Sequence, residues 1–80
     1  MSLKPIVTEK TVMMIESQNI LAFVVGKTKT KEQIKKEIEE LFEVKVEKIR
    51  TLIKRGKKYA YVKLKKEFPA IDIATKLGLM

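Results

Sequence analysis

Nine cationic side chains stand between Lys48 and Lys66: Lys48, Arg50, Lys54, Arg55, Lys57, Lys58, Lys63, Lys65 and Lys66. None of the ten acids of the chain falls within those nineteen positions; Glu47 and Glu67 flank them. Charge sorted in this way neutralises phosphates and releases the counterions they held. The end of the stretch also alternates. Ala60, Val62 and Leu64 face one way, and Lys57, Tyr59, Tyr61, Lys63 and Lys65 the other. Lysines and tyrosines sharing one strand face can meet phosphates and stack on bases or sugars. The same pattern also fits tyrosines packed beneath a helix with lysine stems reaching outward.

Two smaller polar groups accompany this cluster. Lys27, Lys29 and Lys31 lie just before and at the start of an expected helix. Backbone N–H groups at such an end bind phosphate, and lysines there work against the helix dipole unless an anion offsets them. Lys4, Thr8, Lys10 and Thr11 gather near the start of another helix. Thr11, Thr28, Thr51, Tyr59 and Tyr61 are candidates for hydrogen bonds and stacking that orient an RNA.

Catalytic chemistry finds little material. Histidine and cysteine are absent, and the three glycines are isolated, so no phosphate-cradling loop can be drawn. No serine or threonine has a side-chain base to activate it. The only aspartate is Asp72, and the glutamates read as ion-pair partners on a solvated helix face. No catalytic residue, metal site or cofactor is expected. A small phosphatase of similar shape would lack its catalytic groups.

The elements that must position these residues read as strand, helix, strand, helix, strand, strand, helix. Pro5-Ile6-Val7 suits a sheet edge. Thr8 caps a helix running to about Ser17, with Val12, Met13, Met14 and Ile15 as its apolar side. Gln18-Asn19 reads as a turn. Ile20 to Val25 reads as a strand buried on both faces. Gly26 to Lys29 is a loop. Thr30 and Gln33 form a capping box, followed by Ile34, Ile38, Leu41 and Phe42 as one buried stripe. Glu32–Lys36, Lys35–Glu39 and Lys36–Glu40 are spaced for ion pairs on the opposite side.

Val44 to Lys54 and Lys58 to Lys65 read as strands joined by a turn at Arg55-Gly56-Lys57. Pro69 suits the first turn of a last helix with Ala70, Ile73, Ala74 and Leu77 on its apolar side and Gly78 at its end. The order predicts a split β-α-β unit in an α+β fold related to the ferredoxin-like type. The second hairpin strand inserts between the two strands that a helix joins, giving a small antiparallel sheet with helices packed on it.

Eighty residues with 45% hydrophobic side chains suffice for a single domain, 1–80, with a modest core. The net charge of +8 and pI of 9.8 favour polyanionic partners. The start of the chain lacks the apolar run of a signal peptide, and the longest apolar run, Ile20 to Val25, is too short to span a bilayer. No membrane insertion is expected, and cysteine-free composition fits a cytoplasmic protein.

Several stretches resemble the L-twenty-three family of large-subunit ribosomal proteins: Pro5-Ile-Val-Thr-Glu-Lys10, Asn19-Ile-Leu-Ala-Phe-Val-Val25, Thr30-Lys31 with Gln33-Ile34-Lys35, Leu41-Phe-Glu-Val-Lys-Val46, Thr51-Leu52, and Lys58-Tyr-Ala-Tyr-Val-Lys-Leu64. They run in the family's order along nearly the whole chain. The tight turn at Gly56 and the tail from Ala70 to Gly78 resemble the archaeal and eukaryotic form, and the lack of the long basic N-terminal arm of eukaryotic members makes archaeal the expectation. The resemblance implies a structural ribosomal protein that binds large-subunit ribosomal RNA near the nascent-chain tunnel exit, touches neighbouring ribosomal proteins and helps to dock the signal recognition particle. It implies Glu9 as a docking residue. Lys35 is a further candidate of the RNA-binding set, and the chain is expected to be a monomer off the ribosome. Two departures are Arg50, where the family often has asparagine, and Thr28 to Thr30 or Lys29 to Lys31, where it often has Ala-Asn-Lys. A free-standing RNA-binding module outside the ribosome is the alternative on composition.

Overall fold

A computed structural model describes residues 4–78. The elements follow one another as β1 (Lys4–Pro5), α1 (Glu9–Gln18), β2 (Ile20–Val25), α2 (Lys31–Phe42), β3 (Val46–Lys54), β4 (Lys57–Leu64) and α3 (Ala70–Lys76). The strands form one sheet in the order β1-β2-β4-β3, with every neighbouring pair antiparallel. β4 therefore lies between β2 and β3, the two strands that α2 connects. This is the expected split β-α-β arrangement in an α+β fold.

One side of the sheet carries the core. Leu21, Phe23 and Val25 of β2 meet Ala60, Val62 and Leu64 of β4, and all six are buried. Ile34 and Ile38 of α2, Ile15 of α1, and Ala70, Ile73 and Ala74 of α3 close over them. Burying a side chain such as Phe23 or Leu21 contributes about 1.5–3 kcal/mol, so this layer supplies most of the cohesion. The other side of β2 is not fully covered. Ala22 is buried there, but Ile20 and Val24 are half-exposed, which corrects the expectation of burial on both faces.

Both longer helices begin as their sequences dictate. Thr30 and Gln33 exchange side-chain-to-backbone bonds at 3.0 and 3.2 Å. Thr8 and Thr11 form a second capping box at 2.8 and 3.2 Å, which the sequence reading did not identify because its third position is threonine rather than Glu or Gln. The Thr11 hydroxyl also donates to the carbonyl of Ile6 at 3.0 Å.

Some helix expectations need correction. Met13 is 61% exposed, and the helix buries Thr11 and Ile15 instead. At the last turn of α2 the Phe42 ring packs against the core and leaves Leu41 outside. None of the three expected α2 ion pairs forms within contact distance. Among the described residues the one ion pair joins Lys29 to Glu37. Glu39 instead accepts a hydrogen bond from the Val46 backbone N–H at 3.0 Å. An exposed pair holding two long side chains gains little, whereas this bond satisfies an N–H at the start of the outer strand β3.

Candidate nucleic-acid interface

Register decides which side chains share the open side of the sheet. β3 and β4 are offset by a bulge at Glu47, so that Val46 opposes Leu64 but Lys48 opposes Lys63. A bulge admits one extra residue and resets which side the following residues face. Beyond it Lys48, Arg50, Leu52 and Lys54 oppose Lys63, Tyr61, Tyr59 and Lys57. Across the other edge of β4, Ile20, Ala22 and Val24 oppose Lys63, Tyr61 and Tyr59, and Lys4 opposes Val24. The open face thus consists of cross-strand rows: Lys48–Lys63–Ile20, Arg50–Tyr61–Ala22, and Leu52–Tyr59–Val24–Lys4. The Lys54–Lys57 pair closes its hairpin end.

Both tyrosines lie on this face, half-buried, rather than beneath the helices that cover the core. Helix α1 borders the face. Its Thr11 and Ile15 turn inward, and Lys10, Met14 and Gln18 form the adjacent stripe at the four-residue spacing of a helix. Between that stripe and the sheet runs an open groove of about 540 Å³. Its lining comprises Lys10, Met14 and Gln18 from α1, Ile20 from β2, Lys48, Arg50 and Leu52 from β3, and Tyr61 and Lys63 from β4. Four of these are cations and none is an acid. At close quarters such a group produces a positive potential that attracts phosphate.

A second basic group forms at the hairpin end. The turn places Arg55 at φ 53 and Gly56 at φ 76, the double left-handed conformation of a two-residue hairpin. The position a Cβ on Gly56 would occupy lies 3.7 Å from Lys27 Nζ, so the loop before α2 reaches the turn. Lys27 and Thr28 are exposed in that loop. Lys54, Arg55 and Lys57 are exposed beside it. Two lysines of this region have other attachments. Lys29 is paired with Glu37, and Lys58 donates to the Lys29 carbonyl from the core side of β4. They anchor the loop.

Other candidates stand apart. Lys31 and Lys35 are exposed on α2, in the layer on the opposite side of the sheet. Thr51 opposes Ala60 on the core side. Thr8 and Thr11 are engaged in capping α1, and Thr11 is buried. Glu9 is the first residue of α1 and is exposed, at an end where an acid also favours the helix dipole. Sequence reasoning missed Met14, Gln18, Ile20 and Leu52 as lining residues. Helical spacing from Lys10 locates the first two, but only the pairing of the strands locates the others.

Asn19 does more than the turn expected of it. It adopts a left-handed backbone at φ 58, and its side-chain amide donates toward the carbonyls of Leu64, Lys65 and Phe68 while its oxygen accepts from the Ala70 N–H. One side chain thereby joins the end of α1 to the end of β4 and the start of α3.

Comparison with known proteins gives this arrangement a family. The model of the family described as Ribosomal protein L23 matches residues 1–71. The "Large ribosomal subunit protein uL23" of Methanothermobacter thermautotrophicus is 51% identical over 78 residues, covering 96% of this chain and 91% of the relative. Proteins of this family are structural, non-enzymatic components of the ribosome. The order and spacing of the elements, the tight hairpin and this degree of identity agree: the chain belongs to the ribosomal protein L23 family, in its archaeal form.

Proposed function

We propose that the open sheet face and its hairpin end hold this chain on large-subunit ribosomal RNA near the nascent-chain tunnel exit, with residues 1–80 acting as one RNA-binding domain. The observation that carries this reading is the acid-free groove where Lys10, Lys48, Arg50 and Lys63 surround Tyr61. The cations neutralise phosphates, and the rigid sheet fixes their spacing so that a folded RNA is recognised mainly by shape. Lys27, Lys54, Arg55 and Lys57 extend the contact along the hairpin end. Its place is the ribosome in the cytoplasm, a reading supported by the archaeal relative's name as a large ribosomal subunit protein. Neighbouring ribosomal proteins meet the surfaces that RNA leaves free. Glu9, exposed at the start of α1, contributes to docking the signal recognition particle, a role that rests on the family resemblance. Off the ribosome the chain is a monomer, because a second copy pairing along the outer edge of β3 would set Lys48, Arg50 and Lys54 against their own kind.

The test is a triple variant, Lys48→Gln, Arg50→Gln and Lys63→Gln, in which all three altered side chains are exposed. The fold, followed by circular dichroism, is expected to persist. Affinity for large-subunit ribosomal RNA is expected to fall, and the slope of log affinity against log salt to flatten by about 2–3, at about 0.7–0.9 per lost phosphate contact. An unchanged slope removes the groove from the interface. Co-sedimentation of the unaltered chain with large subunits through a high-salt wash distinguishes a ribosomal component from a free-standing RNA-binding module.

A further inference from the structure

Phosphate binding accounts for the cations of the groove but not for its floor. Among them lie Met14, Ile20, Leu52 and Tyr61, and Leu52 is 37% exposed beside Tyr59 on the open face of the outer strand β3. An A-form duplex keeps its bases stacked and paired inside, so it would touch the lysines and leave that apolar floor wet. The volume of about 540 Å³ lies in the range of clefts that enclose small organic ligands. Gln18, on the α1 wall, supplies an amide that both donates and accepts, as the edge of a base requires.

We infer that the groove is a pocket for an unstacked nucleotide, extruded from the RNA, whose base lies on Tyr61 between Met14 and Leu52. Its flanking phosphates are held by Lys48, Arg50 and Lys63. Any base has a π face that can stack on the tyrosine ring, while Gln18 adds a preference through hydrogen bonding. The inference rests on the RNA-binding reading of this face and names the form of RNA that it takes.

Two RNA hairpins, identical except for a single bulged purine in one of them, separate the inference from the reading beneath it. A fluorescent purine analogue at the bulge reports on stacking. The bulged hairpin is expected to bind about tenfold more tightly than the perfect one, within what a base stacked on an aromatic side chain contributes, and the analogue's emission is expected to be quenched. Tyr61→Leu is expected to abolish the preference and the quenching, whereas Tyr61→Phe retains both and shows that the site tolerates substitution. Lys63→Gln is expected to weaken both hairpins and leave their ratio intact. Equal affinities of the unaltered protein for the two hairpins, or a preference that survives Tyr61→Leu, would overturn the pocket and leave RNA binding by the face standing. Failure to bind either hairpin would overturn both.

Discussion

Arg55 occupies a left-handed backbone conformation, φ 53, in which an L side chain other than glycine, asparagine or aspartate is disfavoured by about 1–2 kcal/mol. The turn needs two such residues, and Gly56 meets the requirement freely while Arg55 does not. A cation retained against a local conformational cost at the basic end of the sheet is consistent with a binding role. Arg55→Asn is expected to stabilise the fold by about 1 kcal/mol in urea titration and to weaken RNA binding in the same preparation. Lower stability would show that the arginine side chain has a structural partner. The sequence makes the turn visible through Gly56, but the conformation of Arg55 depends on the twist of both strands and has no local signature. Thr11 illustrates the reverse case. Its neighbours Lys4, Thr8 and Lys10 suggest an RNA contact, whereas its hydroxyl is spent on capping and on the Ile6 carbonyl.

Among the elements, the alternation of β4 was legible because apolar and polar side chains obey the two-residue period without interruption. The pairing of β3 was not, since the bulge at Glu47 shifts its register and so determines that Lys48, Arg50 and Leu52 join the tyrosine face. Ends of elements are held by contacts between residues far apart in sequence, which is why Asn19 could be read only as a turn. Asn19→Ala loses those side-chain bonds and is expected to cost about 2–4 kcal/mol. Asn19→Gly keeps access to the left-handed backbone but still loses the bonds, so it is expected to remain well below the unaltered protein in thermal stability; full recovery would assign the role to the backbone alone. Glu37→Ala releases Lys29 and is expected to cost at most about 1 kcal/mol while hydrogen exchange in the loop at residues 26–29 accelerates. Unaltered exchange would remove this ion pair from the anchoring of the loop.

Across the whole molecule, one side of the sheet builds the core and the other is left open, bordered by α1. The net charge of +8 is a property of the chain, but its use depends on this division. Lys10, Lys48, Arg50 and Lys63 meet at the groove, Lys27, Lys54 and Lys57 gather at the hairpin end, and Lys31, Lys35 and Lys36 remain with the helix layer. Composition shows the excess of positive charge and the split β-α-β order shows the fold class, yet which lysines share the open face is visible only in three-dimensional packing. Lysine footprinting reads that separation most directly: the free protein and its complex with large-subunit ribosomal RNA are acylated briefly, and each modified lysine is quantified by mass spectrometry. Lys10, Lys48, Lys54, Lys57 and Lys63 are expected to be protected in the complex, with Lys31, Lys35 and Lys36 as reactive as in the free protein. Protection centred on α2, with the open face still reactive, would contradict the assignment of the RNA-binding surface to the sheet.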